Sequence, residues 1–137
     1  MRMNTYLTFD GNAADAMTFY QSVLGGELTL MRYGDMPDTS MVPDGMGDRV
    51  ANAQLTLPNM VLMASDTMDG DTMGYPFQGN HGFDLQVAVD DVDDGRALFD
   101  ALAEGGTVLM AFGEQFWSKG FGTLRDRFGI PWMVDVN

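Results

Sequence analysis

The chain has 137 residues, of which 45% are hydrophobic, and it carries a formal net charge of −13. Its length suits one compact globular domain, and its charge argues against nucleic acid and anionic membranes as partners. No apolar run reaches the roughly twenty residues of a membrane span, and the N-terminus lacks the apolar region of a signal peptide. Because cysteine is absent, disulfides and thiolate sites are excluded, and we expect a cytoplasmic protein.

The first half of the chain reads as a strand, a helix and three further strands. Alternating apolar and polar residues predict strands over residues 4–9, 27–33, 49–57 and 60–65. Apolar residues at helical spacing predict a helix over 13–24, with Asn12 as its N-cap and Gly25-Gly26 as its end. Residues 34–48 are rich in Gly, Pro and Asp and predict a long loop, a type that often serves as a lid or binding loop.

The second half repeats this order after a polar linking segment. Strands are predicted over 83–89, 107–111, 121–126 and 131–136, and a helix over 92–104. A loop is predicted over 113–118 and a turn over 127–130. We therefore divide the chain into a first module (1–68), a linking loop (69–82) and a second module (83–137), which together form one compact domain.

The two halves also align residue by residue. Phe19 aligns with Phe99, and Gly25-Gly26 with Gly105-Gly106, in both cases 80 positions further along. The offset falls to 70 for the last strand, where Met63 aligns with Met133, because the first half has the longer loop. Duplication of one βαβββ unit is the favoured interpretation. The alternative is two unrelated helix–strand units that share the Gly-Gly ending.

Three phrases of the sequence are similar to a known group of proteins. They are YLTFDGNAADAMTFYQSVLGGEL, LMASD and WSKGFGTLRDRFGIPWMV, and they are spread along the chain from residue 6 to residue 134. They resemble the vicinal-oxygen-chelate superfamily of glyoxalase I, bleomycin-resistance proteins and extradiol dioxygenases, and within it the PhnB-like, or 3-demethylubiquinone methyltransferase-like, branch. The resemblance implies an α+β fold of two βαβββ modules, which form curved half-barrels with their helices outside and a small-molecule cup inside. This fold hosts many activities, so it does not identify one.

The expected cup is the row of side chains that faces away from the helices. Strand alternation assigns to it a set of polar and thioether side chains, and Tyr33, Trp117 and Phe121 are predicted to add an aromatic lip. Apart from the lip, the predicted ligand-binding residues are Tyr6, Thr8, Asn52, Gln54, Met63, Ser65, Gln86, Met133 and Asp135. Trp117 lies in a predicted loop, where either a ligand or a second subunit would cover it. Trp132 falls in the helix-facing row and is predicted to be core.

The resemblance also places a metal site, and this chain departs from it. Metal-dependent members of the superfamily use four His and Glu ligands on the first and last strands of the two modules. The corresponding positions here hold Asn4 or Tyr6, Met63, Asp84 and Met133. Thioethers are poor ligands for hard or borderline divalent ions, so we predict that no metal is bound. No other cofactor is predicted, because no glycine-rich loop follows a strand in a dinucleotide-binding context.

Two acidic residues keep other interpretations open. Asp84 is the best candidate for a catalytic general base, since partial desolvation raises the pKa of a carboxyl group. A structural role, in which Asp84 is bonded to the backbone or to Gln86, is the alternative. His81, the single histidine, would form the fallback metal-ligand set together with Asp84 and Asp135.

Three functions therefore remain at the level of sequence. The first is a metal-free small-molecule-binding protein, which the amide-lined and methionine-lined cup favours. The second is an enzyme of the same superfamily, lyase-like or dioxygenase-like, that acts on a small organic substrate. The third is a protein whose main role is dimerisation. A homodimer is expected in any case, because half-barrels leave sheet edges that favour pairing.

Overall fold

The structure is a computed structural model that describes residues 1–68, 71, 72 and 74–137. It divides into two compact units, residues 1–79 and 80–137. The remaining positions of the predicted linking loop, 69, 70 and 73, lie outside the described residues. Within the linking segment, β5 (Asp71–Thr72) pairs with β6 (Tyr75–Pro76) in a short antiparallel ribbon. No helix in the described residues is long and apolar enough to cross a membrane.

The first unit contains one helix on one four-stranded sheet. Its elements are β1 (Thr5–Phe9), α1 (Ala13–Leu24), β2 (Glu27–Arg32), a 3₁₀ turn (Tyr33–Asp35), β3 (Val50–Thr56) and β4 (Val61–Asp66). The strand order is β1-β4-β3-β2, with β1 parallel to β4 and the other pairs antiparallel. The apolar stripe of α1 buries Phe19 and Tyr20, and the alternating strands bury Leu7, Leu55 and Leu62.

The second unit repeats this topology. Its elements are β7 (Leu85–Val89), α2 (Val92–Ala103), β8 (Thr107–Gln115), β9 (Ser118–Arg125) and β10 (Pro131–Val136). The strand order is β7-β10-β9-β8, again with a parallel first pair. Phe99 of α2 and Trp132 of β10 are buried, which confirms Trp132 as a core residue. The fold is therefore α+β with two βαβββ modules, as the sequence predicts.

The Gly-Gly pairs end both helices and also permit a close approach. Gly25 and Gly105 adopt φ angles of 76° and 72°, which favour glycine. A Cβ atom on Gly26 would lie 2.6 Å from the carbonyl oxygen of Thr56, and one on Gly106 would collide with the carbonyl oxygen of Arg125. The second glycine of each pair is therefore needed where β2 and β8 pass the neighbouring strand.

Asn12 is the N-cap residue of α1, as predicted, although its side chain makes no capping hydrogen bond. Other local predictions are wrong. Tyr33 begins a 3₁₀ turn and does not end β2. Residues 113–118 are not a loop, because β8 and β9 continue through this segment and leave only Phe116 and Trp117 between them. β8 keeps its pairing there through register shifts around Gly113, an irregularity that short-range alternation does not reveal.

Candidate ligand-binding site

One face of the first sheet collects the predicted polar side chains of the first module. Tyr6 lies opposite Met63, and Met63 lies opposite Gln54 on its other side, so these three form a row across the sheet. Thr8 lies opposite Ser65 in a second row. Paired residues project to the same side of a sheet, and this side is opposite to the one that carries buried Leu7 and Leu62.

The polar groups of this face are only partly used within the protein. The Nδ2 of Asn4 lies 3.8 Å from the Sδ of Met63, and the Nε2 of Gln54 donates to the Oγ1 of Thr56 at 3.2 Å. Asn52 and Ser65 are half-buried, and within the described residues their side chains make no hydrogen bond. An amide and a hydroxyl therefore remain able to bind a ligand.

Tyr33 lies beside this face, near Tyr6. Its hydroxyl donates to the backbone carbonyl of Asp66 at 3.3 Å. Burial raises the pKa of Tyr33, and the neighbouring Tyr6 and Asp66 raise it further. The Tyr33 phenol is thus held neutral near Tyr6, which suits hydrogen bonding and not proton abstraction.

The equivalent face of the second sheet combines a carboxylate, an amide and an aromatic ring. Gln86 lies opposite Met133, and Asp135 lies between Ala88 on β7 and Phe121 on β9. The Nε2 of Gln86 donates to the Oδ2 of Asp135 at 3.4 Å. The other carboxylate oxygen of Asp135, Oδ1, is buried and has no hydrogen-bond partner in the part of the chain that the structure describes.

Aromatic side chains adjoin this second face. The rings of Trp117 and Phe121 meet edge to face with centroids 5.6 Å apart, and Phe116 contacts Trp117 in the same manner at 4.7 Å. Phe116 is 98% exposed and Trp117 51% exposed. An open cavity of about 330 Å³ lies beside them, lined by residues 114–119, Val136 and Asn137. Trp117 and Phe121 therefore form a common aromatic surface in the second unit, whereas Tyr33 belongs to the first.

The proposed base and the single histidine precede β7. Both Asp84 and His81 are exposed. The segment they occupy lies just outside the paired residues of β7, so strand pairing does not fix their side chains. No group of three or more acidic or histidine side chains able to hold a metal ion occurs among residues 1–68, 71, 72 and 74–137.

Sequence reasoning missed members of both faces. Thr29 and Met31 lie opposite Gln54 and Asn52, and Thr123 lies opposite Met133. Alternation alone would have included Thr123, since it is two residues from Phe121. The positions of Thr29 and Met31 depend on the pairing of β2 with β3, which the sequence does not show.

The sequence of this chain is similar to those of known proteins. The family model described as 3-demethylubiquinone-9 3-methyltransferase matches residues 1–135. Protein YjdN of Escherichia coli (strain K12) is 36% identical over 145 residues, which cover 99% of this chain and 95% of YjdN.

Solved structures agree with the sequence comparison. The crystal structure of protein PA1353 from Pseudomonas aeruginosa superposes with a TM-score of 0.90 at 37% identity, covering 100% of this chain and 98% of the other. A PhnB protein from Bacillus cereus, described as a putative 3-demethylubiquinone-9 3-methyltransferase, gives a TM-score of 0.77 at 25% identity, with 100% of both chains covered.

More distant structures share the fold alone. A glyoxylase/bleomycin resistance protein/dioxygenase domain from Frankia sp. EAN1pec has a TM-score of 0.63 at 18% identity, covering 100% of this chain and 97% of the other. The two βαβββ units thus have the glyoxalase fold, and the chain belongs to the PhnB-like, 3-demethylubiquinone-9 3-methyltransferase family.

Proposed function

We propose that this protein binds a small organic molecule through the sheet faces opposite its helices, without a metal ion. The observation that carries the proposal is the row formed by Tyr6, Met63 and Gln54, with Asn52 and Ser65 beside it. Small-molecule sites typically combine apolar surface with a few polar groups that fix orientation. The free amide of Asn52 and hydroxyl of Ser65 supply such groups, while Met63 supplies an adaptable apolar contact.

The metal-free part of the proposal rests on the chemistry of the side chains. Met63 and Met133 occupy equivalent positions next to the first strand of each unit, opposite Tyr6 and Gln86. Thioether sulfur is a soft ligand, and it binds hard or borderline divalent ions poorly. Elemental analysis of the purified protein should find no stoichiometric Zn, Ni, Mn or Fe. One equivalent of any of these metals per chain would overturn this part of the proposal.

A thermal-shift screen of small molecules tests binding directly. A ligand at about 100 times its dissociation constant stabilises the folded state by about 2.7 kcal/mol, which is easily measured. Asn52→Ala should reduce the shift produced by a hit, whereas Asn59→Ala, the same change at an exposed turn position, should not. Equal effects of the two changes, or no stabilising compound at all, would contradict the proposed site.

The alternative function is an enzyme of the same superfamily acting on a small organic substrate. The observation that favours it is the position of Asp84, an exposed carboxyl group directly before β7 and two residues before Gln86. If Asp84 is the base, Asp84→Asn should abolish turnover of a compound from the screen while leaving its binding intact. Unchanged turnover in this variant would remove Asp84 from the mechanism.

We also propose that the functional form is a homodimer. β2 and β8 each lie at one end of their sheets, and β8 exposes Val108, Leu109 and Met110 in succession. An apolar end strand favours pairing with another strand. Sedimentation at micromolar concentration should give a dimer, and Leu109→Asp should shift it to monomer. A monomeric wild-type protein would overturn the proposal.

A further inference from the structure

We infer that the second unit recognises an apolar or aromatic molecule that carries a protonated amine or amidine, with Asp135 as the residue that binds the cation. The inference rests on the proposed small-molecule function and names the ligand class at one of its two faces. The two carboxylate oxygens of Asp135 differ in their surroundings.

The Oδ1 atom of Asp135 is an unused acceptor. It is buried, and no donor in the described residues is within hydrogen-bond distance of it. A buried acceptor without a donor is unfavourable, since it loses its water and gains nothing in return. By contrast, each carboxylate oxygen of the buried Asp66 in the first unit accepts at least one backbone N–H. The charge of Asp135 is therefore less compensated by hydrogen bonds than that of Asp66.

The one side chain that is bonded to Asp135 within the described residues is easily displaced. The bond from the Nε2 of Gln86 to Oδ2 is 3.4 Å long, well beyond the usual length of a charge-assisted hydrogen bond. Gln86 is exposed, so it loses little by turning into solvent. A ligand donor that replaces Gln86 at Oδ2 can engage a carboxylate whose other oxygen has no donor in the described residues, and a cationic donor forms the strongest such bond.

The groups around Asp135 favour a cation attached to an apolar body. Phe121 lies directly opposite Asp135 on β9, and the Trp117 ring packs against Phe121 with its centroid 5.6 Å away. Aromatic faces attract cations as well as apolar surface. An anionic ligand would instead be repelled by Asp135 and by the net charge of −13.

Three probes of nearly the same shape test the charge requirement. Benzamidine is cationic, benzamide is neutral and benzoate is anionic at pH 7. Titration calorimetry on the full chain should show that benzamidine binds at least tenfold more tightly than benzamide, and that benzoate does not bind. Asp135→Asn should remove the advantage of benzamidine and leave benzamide unchanged. Equal affinities of benzamidine and benzamide for the wild-type protein would overturn the inference.

Matched variants separate recognition from general charge and from folding. Asp100→Asn removes the same charge from an exposed site on α2 and should not alter benzamidine binding. An equal loss in Asp100→Asn and Asp135→Asn would attribute the effect to net charge and overturn the inference. If Asp135→Asn does not fold, Phe121→Leu decides. That change removes the aromatic ring opposite Asp135, so it should weaken benzamidine binding at least tenfold, and undiminished binding would contradict the assignment.

The failure of this inference differs from the failure of the proposed function. If neutral or anionic compounds stabilise the protein and benzamidine does not bind, the binding function stands and the cationic class is wrong. If no compound of any charge stabilises the protein, both fail together.

Discussion

The two units differ in which side chain accepts hydrogen bonds from the backbone N–H groups at the start of the helix. In the first unit, the Oδ1 of Asp66, at the end of β4, accepts from the backbone N–H groups of Gly11 and Ala13 at 2.9 and 3.0 Å. In the second unit, the Oδ1 of Asp91 accepts from Asp93 and Asp94 at 2.9 and 3.1 Å. A helix start needs acceptors for its free N–H groups, and they come from a distant strand in one unit and from the adjacent residue in the other.

This difference shows how a repeated unit diverges while its topology is kept. The position equivalent to Asp66, 70 residues further on, is the apolar Val136. With no carboxylate on β10 at that point, the second unit relies on a local N-cap. The first unit has Asn12 in the local position but does not use it. In the first unit the distant carboxylate of Asp66 therefore binds the first N–H group of α1, that of Ala13, whereas in the second unit the N-cap Asp91 binds the second and third N–H groups of α2.

The largest effects should come from the core positions that the units share. Phe19 and Phe99 are 9% and 3% exposed, and each packs beside a second aromatic ring, Tyr20 and Phe112 respectively. Phe19→Ala and Phe99→Ala should each lower the free energy of unfolding by about 3–5 kcal/mol, as measured by urea denaturation. Phe116→Ala, at a 98% exposed position, is the control and should change it by less than about 0.5 kcal/mol.

A large difference between the losses of unfolding free energy in Phe19→Ala and Phe99→Ala would show that the two units are not equivalent. If one of them costs about as little as Phe116→Ala, the two helices do not have corresponding core positions. If Phe116→Ala is as damaging as either, the tip of the β8–β9 hairpin is part of a buried interface, such as that of the proposed dimer.

Intermediate effects should distinguish the two ways of capping a helix. Asp66 also accepts from the backbone N–H of Val50 at 2.8 Å. Asp66→Ala therefore leaves three backbone N–H groups without their acceptor, and two of these bonds are buried. It should lower the free energy of unfolding by about 3 kcal/mol or more, because each lost bond to a charged group is worth about 1.5–3 kcal/mol. Asp91→Ala removes an exposed N-cap and should cost about 1 kcal/mol. Similar losses in both variants would show that the distant carboxylate gives the first unit no more than a local cap gives the second.

The parts of the fold that the sequence predicts are those set by short-range pattern. The helix ends at Gly25 and Gly105 follow from the tolerance of glycine for positive φ. The two rows of site residues follow from the two-residue period of a strand and from the offset between the halves. The structure accordingly places Tyr6 opposite Met63 and Gln86 opposite Met133.

The parts that the sequence does not predict depend on distant partners. Asn12 has the residue type and position of an N-cap but makes no side-chain capping bond, and the carboxylate that binds the N–H of Ala13 is that of Asp66, 53 residues further along. Gly113 interrupts the alternation of β8, and only the pairing with β9 shows that the strand continues. In the same way, the environment of Asp135 depends on the exposed Gln86 of another strand, so its unused oxygen is invisible to sequence patterns.

The smallest effect should come from the equivalent aspartates that precede the helices, Asp10 and Asp90. Asp10 accepts from Arg49 at 2.8 Å and from Thr67 at 2.5 Å. These hydrogen bonds, Arg49 first, hold the pKa of Asp10 below its ordinary value of 3.8. In the described part of the chain, Asp90 has no ion pair.

The lowered pKa of Asp10 determines how the free energy of unfolding depends on pH. The stabilisation from Asp10 is fully present above the unfolded pKa of about 3.9, and it is lost as the pH falls through the lower folded-state pKa. Asp10→Asn should therefore lower the free energy of unfolding at pH 7 by less than about 1 kcal/mol, because the Asp10 side chain is 47% exposed and water screens the pair, and the deficit should vanish once the pH is below the folded-state pKa of Asp10. Asp90→Asn should show no such deficit at any pH. Urea denaturation of both variants from pH 7 to pH 3 measures this. A deficit in Asp10→Asn that persists unchanged at acid pH would mean that Asp10 acts through shape and not through charge.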